Sequence, residues 1–222
     1  GDHRDLHSFP TRRSSDLAFH IESKKNEFIA NLGANIQAHD KISSIVKYHD
    51  SFFVGLMMDG VLTLEKQKGS GEYQIQTLPI NSGTFSLIKD RFQDVVWIGT
   101  DGQGLRMLYD KYERFDGLAL EDLPFVMLNP VRSVYTDEDK TLWFGTKGDG
   151  FVRIKEYDSY AKGEIPLDRI ARYTTADGLS NNRVYCFFKS LYHPLVWIGT
   201  DGPGLSYYSY EDEKVHTLPS KI

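Results

Sequence analysis

A nine-residue motif recurs along the chain and constrains its fold more than any other feature. Three clear copies share the pattern Trp-x-Gly-Thr-x-Gly-x-Gly-apolar and span residues 97–105, 143–151 and 197–205. A weaker copy, which begins with Phe53 in place of tryptophan, spans residues 53–61. Repetition of one motif about every 40–50 residues indicates that the chain is built from copies of a single supersecondary unit.

The motif predicts two strands joined by a tight turn. Its first four residues alternate between the faces of an extended strand, and the Gly-x-Gly that follows accepts positive φ without strain. The apolar residue at its end begins the next strand. The glycine two residues after the aromatic residue allows a neighbouring strand or backbone to approach closely. We therefore assign a structural role to Phe53, Gly55, Trp97, Gly99, Trp143, Gly145, Trp197 and Gly199.

The segments that flank each motif complete a four-stranded unit. Alternating segments precede the motifs at residues 41–47, 84–88, 131–135 and 183–187. Further strand-like segments follow them at residues 73–78, 112–115, 169–173 and 215–218. Four antiparallel strands with short connections form a meander. Because one such sheet cannot bury both faces, the sheets must stack around an axis, which predicts an all-β fold: a β-propeller of four-stranded antiparallel blades.

The repeats divide residues 18–222 into one partial propeller. We predict blades at 40–79, 83–116, 130–174 and 182–219, preceded by half a blade at 18–33. Because closed propellers contain complete blades, we expect a fragment of a larger ring, with seven blades as the predicted total. The longer spacing before the last motif is attributed to a loop insertion near residues 158–167.

The first seventeen residues are treated separately. Residues 7–17 match the translation of a common sequencing-library adapter, so we interpret residues 1–17 as a non-native segment and exclude them from the fold. The alternative is a natural polar linker, since proline, arginine and serine dominate the segment.

Composition and motifs argue against several functions. With 26 basic and 31 acidic residues, the net charge of −5 disfavours non-specific nucleic-acid binding. No apolar run reaches the roughly 18–20 residues of a membrane span. We expect no cofactor and no metal: Gly102-x-Gly104 precedes a strand, whereas phosphate-binding loops precede a helix, and residues 137–139 suit a solvated turn better than a calcium site. The single cysteine, Cys186, is expected to be a buried, inert thiol.

Two segments resemble the two-component regulator propeller repeat. They are residues 129–150, which contain Leu-Trp-Phe-Gly-Thr-Lys-Gly-Asp-Gly, and the linker at 173–184, which contains Asp-Gly-Leu. The resemblance extends over about residues 40–218, with departures at Met57, Met58 and Lys140. It implies the periplasmic, ligand-sensing and non-catalytic region of a membrane-anchored hybrid histidine kinase, as found in Bacteroidota. It also implies a small-molecule or oligosaccharide ligand, and a homodimer of the full-length form is compatible with it.

We expect the ligand at one end of the propeller. The turns at 100–104, 146–150 and 200–204 and the linker at 177–183 should share that end. Residues that recur in every blade serve the turn, so residues that break the repeat are better candidates for specificity. The residues that break the repeat are Met57, Met58 and Lys147. Candidates for hydrogen bonds to sugar hydroxyls or a carboxylate are Lys147 again with Asp101, Asn182, Arg183 and Asp201. Three tyrosines could either stack on a sugar or pack in the core: Tyr207, Tyr208 and Tyr210.

Two alternative functions stay open. Streptogramin lyases resemble this repeat pattern and use a histidine with a metal-assisted group, which requires convergent titratable side chains. We expect the histidines to lie apart, which disfavours an enzyme: His20, His39, His49, His193 and His216. The other alternative is a protein-interaction scaffold.

Overall fold

A computed structural model describes residues 17–20, 25–28, 40–109, 114–118, 123–157 and 166–219. The first two strands, β1 (Leu17–His20) and β2 (Lys25–Phe28), pair antiparallel. The rest of the predicted half blade lies outside the described residues. So do residues 1–16 of the segment interpreted as adapter-derived and residues 158–165 of the predicted insertion.

Four antiparallel sheets of four strands follow, each in the order of a meander. Blade 1 contains β3 (Ile42–Tyr48), β4 (Ser51–Leu56), β5 (Gly60–Lys66) and β6 (Tyr73–Thr77). Blade 2 contains β7 (Thr84–Lys89), β8 (Val96–Thr100), β9 (Leu105–Tyr109) and β10 (Arg114–Leu118). Blade 3 contains β11 (Val131–Thr136), β12 (Thr141–Thr146), β13 (Phe151–Lys155) and β14 (Ile170–Tyr173). Blade 4 contains β15 (Val184–Lys189), β16 (Leu195–Thr200), β17 (Leu205–Ser209) and β18 (Lys214–Leu218).

The first strand of each blade lies at the inner edge of the propeller. Strand β3 contacts β7, β7 contacts β11, and β11 contacts β15. The blades therefore stack around a common axis, and the predicted all-β fold of four-stranded antiparallel blades is confirmed. The number of blades in a complete ring stays a prediction.

The apolar core lies between successive blades, and the motif tryptophans are central to it. Trp97 and Trp143 are fully buried. The ring centroid of Trp97 lies 6.0 Å from that of Tyr157 in blade 3, and the centroid of Trp143 lies 5.2 Å from that of Tyr208 in blade 4. Each tryptophan is thus covered by the blade that follows it, and its burial couples the two blades.

The motif glycines are required by the close packing around the second strand. A Cβ atom on Gly145 would lie 2.6 Å from both the Oγ of Ser133 and the Cγ1 of Val184. Ser133 is its partner on the adjacent strand, whereas Val184 belongs to the next blade. The predicted close approach at this glycine is therefore present on two sides, and any side chain would force one neighbour to move.

The face of blade 4 that carries Trp197, here called the open face, differs from the corresponding faces of the other blades. Phe188, Trp197, Tyr207 and His216 form one cross-strand row, and no sheet among the described residues covers it. Cys186 lies two residues before Phe188 and is exposed. The expectation of a buried thiol is therefore wrong, because a mid-strand position is buried only where a neighbouring blade packs against it.

Candidate functional site

Four predicted site residues occupy equivalent positions at one end of the inner strands. In every blade, the residue after the second strand donates its backbone N–H to the carbonyl of the residue before the first strand. The four bonds are Met57 to Lys41 (2.9 Å), Asp101 to Gly83 (2.8 Å), Lys147 to Pro130 (3.1 Å) and Asp201 to Arg183 (3.0 Å). The same backbone position thus presents a thioether, a carboxylate, an ammonium and a second carboxylate.

A second set of side chains lies beside the first, at a β-bulge in the first strand of each blade. The register shifts at the second residue of β3, β7, β11 and β15. The bulged residues are Ser43, Phe85, Arg132 and Tyr185. A bulge leaves one residue without a cross-strand partner and re-aims its side chain. These residues were not predicted from the sequence, although they occupy the unrepeated position within an otherwise repeated strand.

Side chains at these positions contact one another across blades 2, 3 and 4. The Nζ of Lys147 lies 4.7 Å from the ring centroid of Phe85, and the guanidinium carbon of Arg132 lies 3.8 Å from that of Tyr185. Both distances suit cation–π contacts. Lys147 also forms an antiparallel backbone bridge with Arg183. We call these five residues the basic rim: Phe85, Arg132, Lys147, Arg183 and Tyr185.

Three predicted residues make further polar contacts: Arg183, Asp201 and Asn182. The Arg183 guanidinium lies 3.3 Å from the Asp201 carboxylate, and both side chains are largely exposed, so this ion pair contributes little to stability. The Oδ1 of Asn182 accepts a hydrogen bond from the backbone of Thr175 (2.8 Å), and its carbonyl accepts one from Gly150. Asn182 therefore holds the linker to the neighbouring turn.

In blade 1, Met58 replaces the first glycine of the turn, Gly60 keeps the second with a positive φ of 86°, and a carboxylate holds the turn. The side chain of Met58 is exposed, while its backbone N–H donates to Oδ1 of Asp40 (3.0 Å) and the N–H of Asp59 donates to Oδ2 (3.0 Å). The departure from the repeat at Met57 and Met58 therefore keeps the turn.

The expectation of a solvated turn at residues 137–139 is wrong for Asp137, which is fully buried. Its carboxylate accepts hydrogen bonds from the N–H groups of Asp139 and Thr141, from Nε1 of Trp143 (2.8 Å) and from the hydroxyl of Tyr210. Burial and then this carboxylate raise the pKa of the Tyr210 hydroxyl above its ordinary value.

The same arrangement recurs in blade 2, with Asp90 as the carboxylate. Its Oδ2 accepts a hydrogen bond from Nε1 of Trp97 at 2.7 Å. Burial and then Asp90 raise the pKa of Tyr157, which packs against Trp97 from blade 3. Of the three tyrosines considered at the sequence level, Tyr208 and Tyr210 thus serve packing between blades.

Tyr207 instead lines a cleft of about 650 Å³ on the open face of blade 4, together with Trp197, His193 and His216. His193 lies in the turn between β15 and β16 and His216 lies in β18, as expected, but both line this cleft. Nε2 of His216 lies 2.8 Å from Oδ2 of Asp212. Within the described ranges no group of three potential metal ligands occurs.

Among the described side chains, no other histidine lies in this cleft. His49 pairs with Asp94 at 2.9 Å, in the turn between β3 and β4. The side chains of His20 and His39 lie outside the described residues.

Among the described residues, no helix has the length and apolarity that a membrane crossing requires.

The comparisons with known proteins agree with this architecture. The family model described as "Two component regulator propeller" matches residues 127–148, which include the turn and second strand of blade 3. No curated protein sequence matches the chain.

Several solved structures share the fold. The extracellular domain of BT4673, assigned to the hybrid two component systems of B. thetaiotaomicron, is 13% identical with a TM-score of 0.64, covering 81% of this chain and 25% of that one. The corresponding domain of BT3049 is 17% identical with a TM-score of 0.63, covering 91% and 24%. PorZ, a surface component of the type-IX secretion system of Porphyromonas gingivalis, is 15% identical with a TM-score of 0.55, covering 82% and 27%.

These identities establish the fold alone, and the chain spans about a quarter of the length of each of these structures. Together with the matched repeat in blade 3, they agree with the stacked four-stranded sheets. The chain folds as part of a β-propeller, and its residues 127–148 match the two component regulator propeller repeat.

Proposed function

We propose that the chain is the extracytoplasmic, ligand-recognising part of a two-component sensor and that its ligand is an oligosaccharide. The proposal rests on the different places that repeated and unrepeated residues occupy within each blade. Repeated residues such as Trp143 and Gly145 are buried in the packing, whereas the unrepeated residues lie together at one end of the inner strands. The matched repeat and the extracellular domains that share the fold support the sensor role.

The chemistry of the basic rim suits a saccharide. Tyr185 is exposed, and Phe85 is partly exposed, so both offer aromatic surface on which a sugar ring can stack. Lys147 and Arg183 supply donors for sugar oxygens. Among the described rim residues there is no nucleophile with an adjacent base, and we therefore propose binding without catalysis.

The position of the rim also suits a sensor. The contact between Lys147 and Phe85 joins blades 2 and 3, and the contact between Arg132 and Tyr185 joins blades 3 and 4. A ligand bound across these contacts would favour one arrangement of the blades over others, and a sensor requires such differential binding.

Isothermal titration calorimetry against a panel of neutral and charged oligosaccharides tests ligand recognition. We expect Lys147→Ala and Arg183→Ala each to weaken binding about tenfold, the effect of one charge-assisted hydrogen bond. The matched control is Lys68→Ala, because Lys68 lies in the turn between β5 and β6, at the opposite end of the blade. Binding that both rim variants leave unchanged would contradict the proposal.

Recovery of the complete gene tests the sensor role separately. We expect it to encode a membrane-spanning helix and a histidine kinase in addition to the propeller. A complete coding sequence without either would contradict the sensor role, whatever the calorimetry shows.

A further inference from the structure

We infer that the basic rim recognises an acidic saccharide, one whose sugar rings carry carboxylate or sulfate groups. The inference rests on the proposed function and specifies its ligand class. Its starting point is the concentration of three cations in the rim of a chain whose net charge is −5.

Two of these cations contact aromatic rings in place of carboxylates. Lys147 lies over Phe85 and Arg132 over Tyr185, and neither forms an ion pair with a described carboxylate. Elsewhere in the described part some cations also lie over rings, such as Lys66 over Tyr73 and Lys89 over Tyr48. Others are paired: Lys155 with Glu213, Arg169 with Glu156 and Lys189 with Asp139. An aromatic face holds a cation in place without neutralising its charge, so the rim keeps charge available for an anion.

The stacking also orients the donors of Arg132. A guanidinium has all five N–H groups in one plane. With the Tyr185 ring 3.8 Å from the guanidinium carbon, one face is covered and the edges remain available for hydrogen bonds. Such an edge binds a carboxylate or a sulfate through two parallel bonds, which a lysine cannot reproduce.

Most of the positive charge lies on one side of the axis, although Lys41 of blade 1 occupies the position equivalent to Arg183. The bulged residue of blade 1 is Ser43, and the residues after the second strands of blades 1 and 2 are Met57 and Asp101. Positive side chains therefore line blades 3 and 4, where Lys147 and Arg183 are bridged through their backbones. Asp201 pairs with Arg183, so we expect Arg132 and Lys147 to make the principal contacts with acidic groups.

Matched probes separate charge from sugar recognition. The probes are tetragalacturonic acid, its fully methyl-esterified form, sulfated cellotetraose and cellotetraose, each titrated calorimetrically into the chain. We expect one or both acidic probes to bind at least about tenfold more tightly than the uncharged counterpart, and the advantage to shrink with added salt. A preference for the galacturonate identifies a carboxylate ligand, and a preference for the sulfated probe identifies a sulfate ligand.

Variants locate the binding. Arg132→Gln should weaken the preferred acidic probe about tenfold, the effect of one charged hydrogen-bonding group, and leave its uncharged counterpart unchanged. Tyr185→Leu should weaken it as well, since it removes the surface that orients Arg132. Lys68→Gln removes a positive charge at the opposite end and should have no effect. If Arg132→Gln lowers the thermal unfolding midpoint, Lys147→Gln in its exposed turn provides the same test.

The two proposals fail in distinguishable ways. Equal affinity for charged and uncharged probes, or an acidic preference that survives both Arg132→Gln and Lys147→Gln, overturns the acidic-ligand inference and leaves saccharide recognition standing. Absence of binding by all four probes overturns both.

Discussion

The carboxylate of Asp137 lies 2.8 Å from the indole nitrogen of Trp143 and also accepts a hydrogen bond from Tyr210. Asp137 and Trp143 belong to blade 3, whereas Tyr210 follows β17 in blade 4. One fully buried carboxylate therefore holds the motif tryptophan in place and links two blades. Few backbone hydrogen bonds join the two blades. This carboxylate and the apolar contact of Trp143 explain how the blades keep their relative positions.

Removal of this carboxylate should destabilise the protein strongly. Asp137→Ala leaves the buried indole N–H of Trp143 and the partly buried hydroxyl of Tyr210 without their acceptor, and we expect a loss of about 2–4 kcal/mol in the free energy of unfolding. Urea unfolding followed by tryptophan fluorescence measures it. Glu138→Ala is the control, because Glu138 is adjacent in sequence and its side chain is exposed. This substitution should change the free energy of unfolding by less than about 0.5 kcal/mol. Equal effects of the two substitutions would show that Asp137 has no linking role.

The close packing at Gly145 predicts a large effect of a single methyl group. Gly145→Ala should cost about 1–3 kcal/mol, because the new Cβ would lie 2.6 Å from atoms of Ser133 and Val184. At the equivalent Gly199 the close neighbour is the Sγ of the exposed Cys186, which can rotate away. Gly199→Ala should therefore be milder in the same denaturation experiment, and the reverse order would contradict the packing described for blades 3 and 4.

Alkaline pH should destabilise the fold through Tyr210. The folded pKa of its hydroxyl is raised above the ordinary value of 10.0, first by burial and then by Asp137. A raised folded pKa means that its contribution is complete below pH 10 and is lost as pH rises further, because only the unfolded chain releases the proton. The slope should approach about 1.4 kcal/mol per pH unit for each such tyrosine.

Denaturation curves between pH 9 and 12, with phenolate absorbance as a second signal, test this. Tyr210→Phe should lower the slope by the contribution of one proton. Tyr192→Phe is a suitable control, because Tyr192 is 87% exposed. An unchanged slope in the Tyr210 variant would mean that its hydroxyl ionises in the folded protein.

The open face of blade 4 predicts a reactive thiol. Cys186 is the single cysteine of the chain and is exposed, so an aromatic disulfide reagent should modify one thiol per native chain. The matched control combines Cys186→Ser with Ser133→Cys, which moves the thiol to the equivalent buried position in blade 3. Only in this double variant should the thiol be protected from the disulfide reagent. Protection of Cys186 in the native chain would show that something covers the face of Trp197.

The strands could be predicted because their determinants are local. The alternation in residues 131–135 lies within β11, and the motif at 143–151 covers the end of β12, one tight turn and the first residue of β13. The role of Asp137 could not be predicted in this way. Its local sequence, Asp-Glu-Asp, is typical of a solvated turn, and its burial depends on Tyr210, which is 73 residues away.

The candidate site was predicted only in part for a related reason. Lys147 was identified because it breaks the repeat, and Arg183 because its linker was expected at the same end of the propeller. The structure brings their backbones together. Arg132 and Tyr185 were missed, because a bulge changes which way a side chain points without changing the pattern of apolar and polar residues. Only the observed register reveals that they stand apart from the strand's own pairing.

The bulge has an evolutionary consequence. One side chain per blade has no cross-strand partner in the sheet. Residues such as Phe85 and Arg132 can therefore be substituted without changing the hydrogen bonds of the buried carboxylates that link the blades. New recognition properties can therefore arise by substitution at single positions while the architecture is inherited intact. A library randomised at positions 43, 85, 132 and 185 would sample that freedom directly.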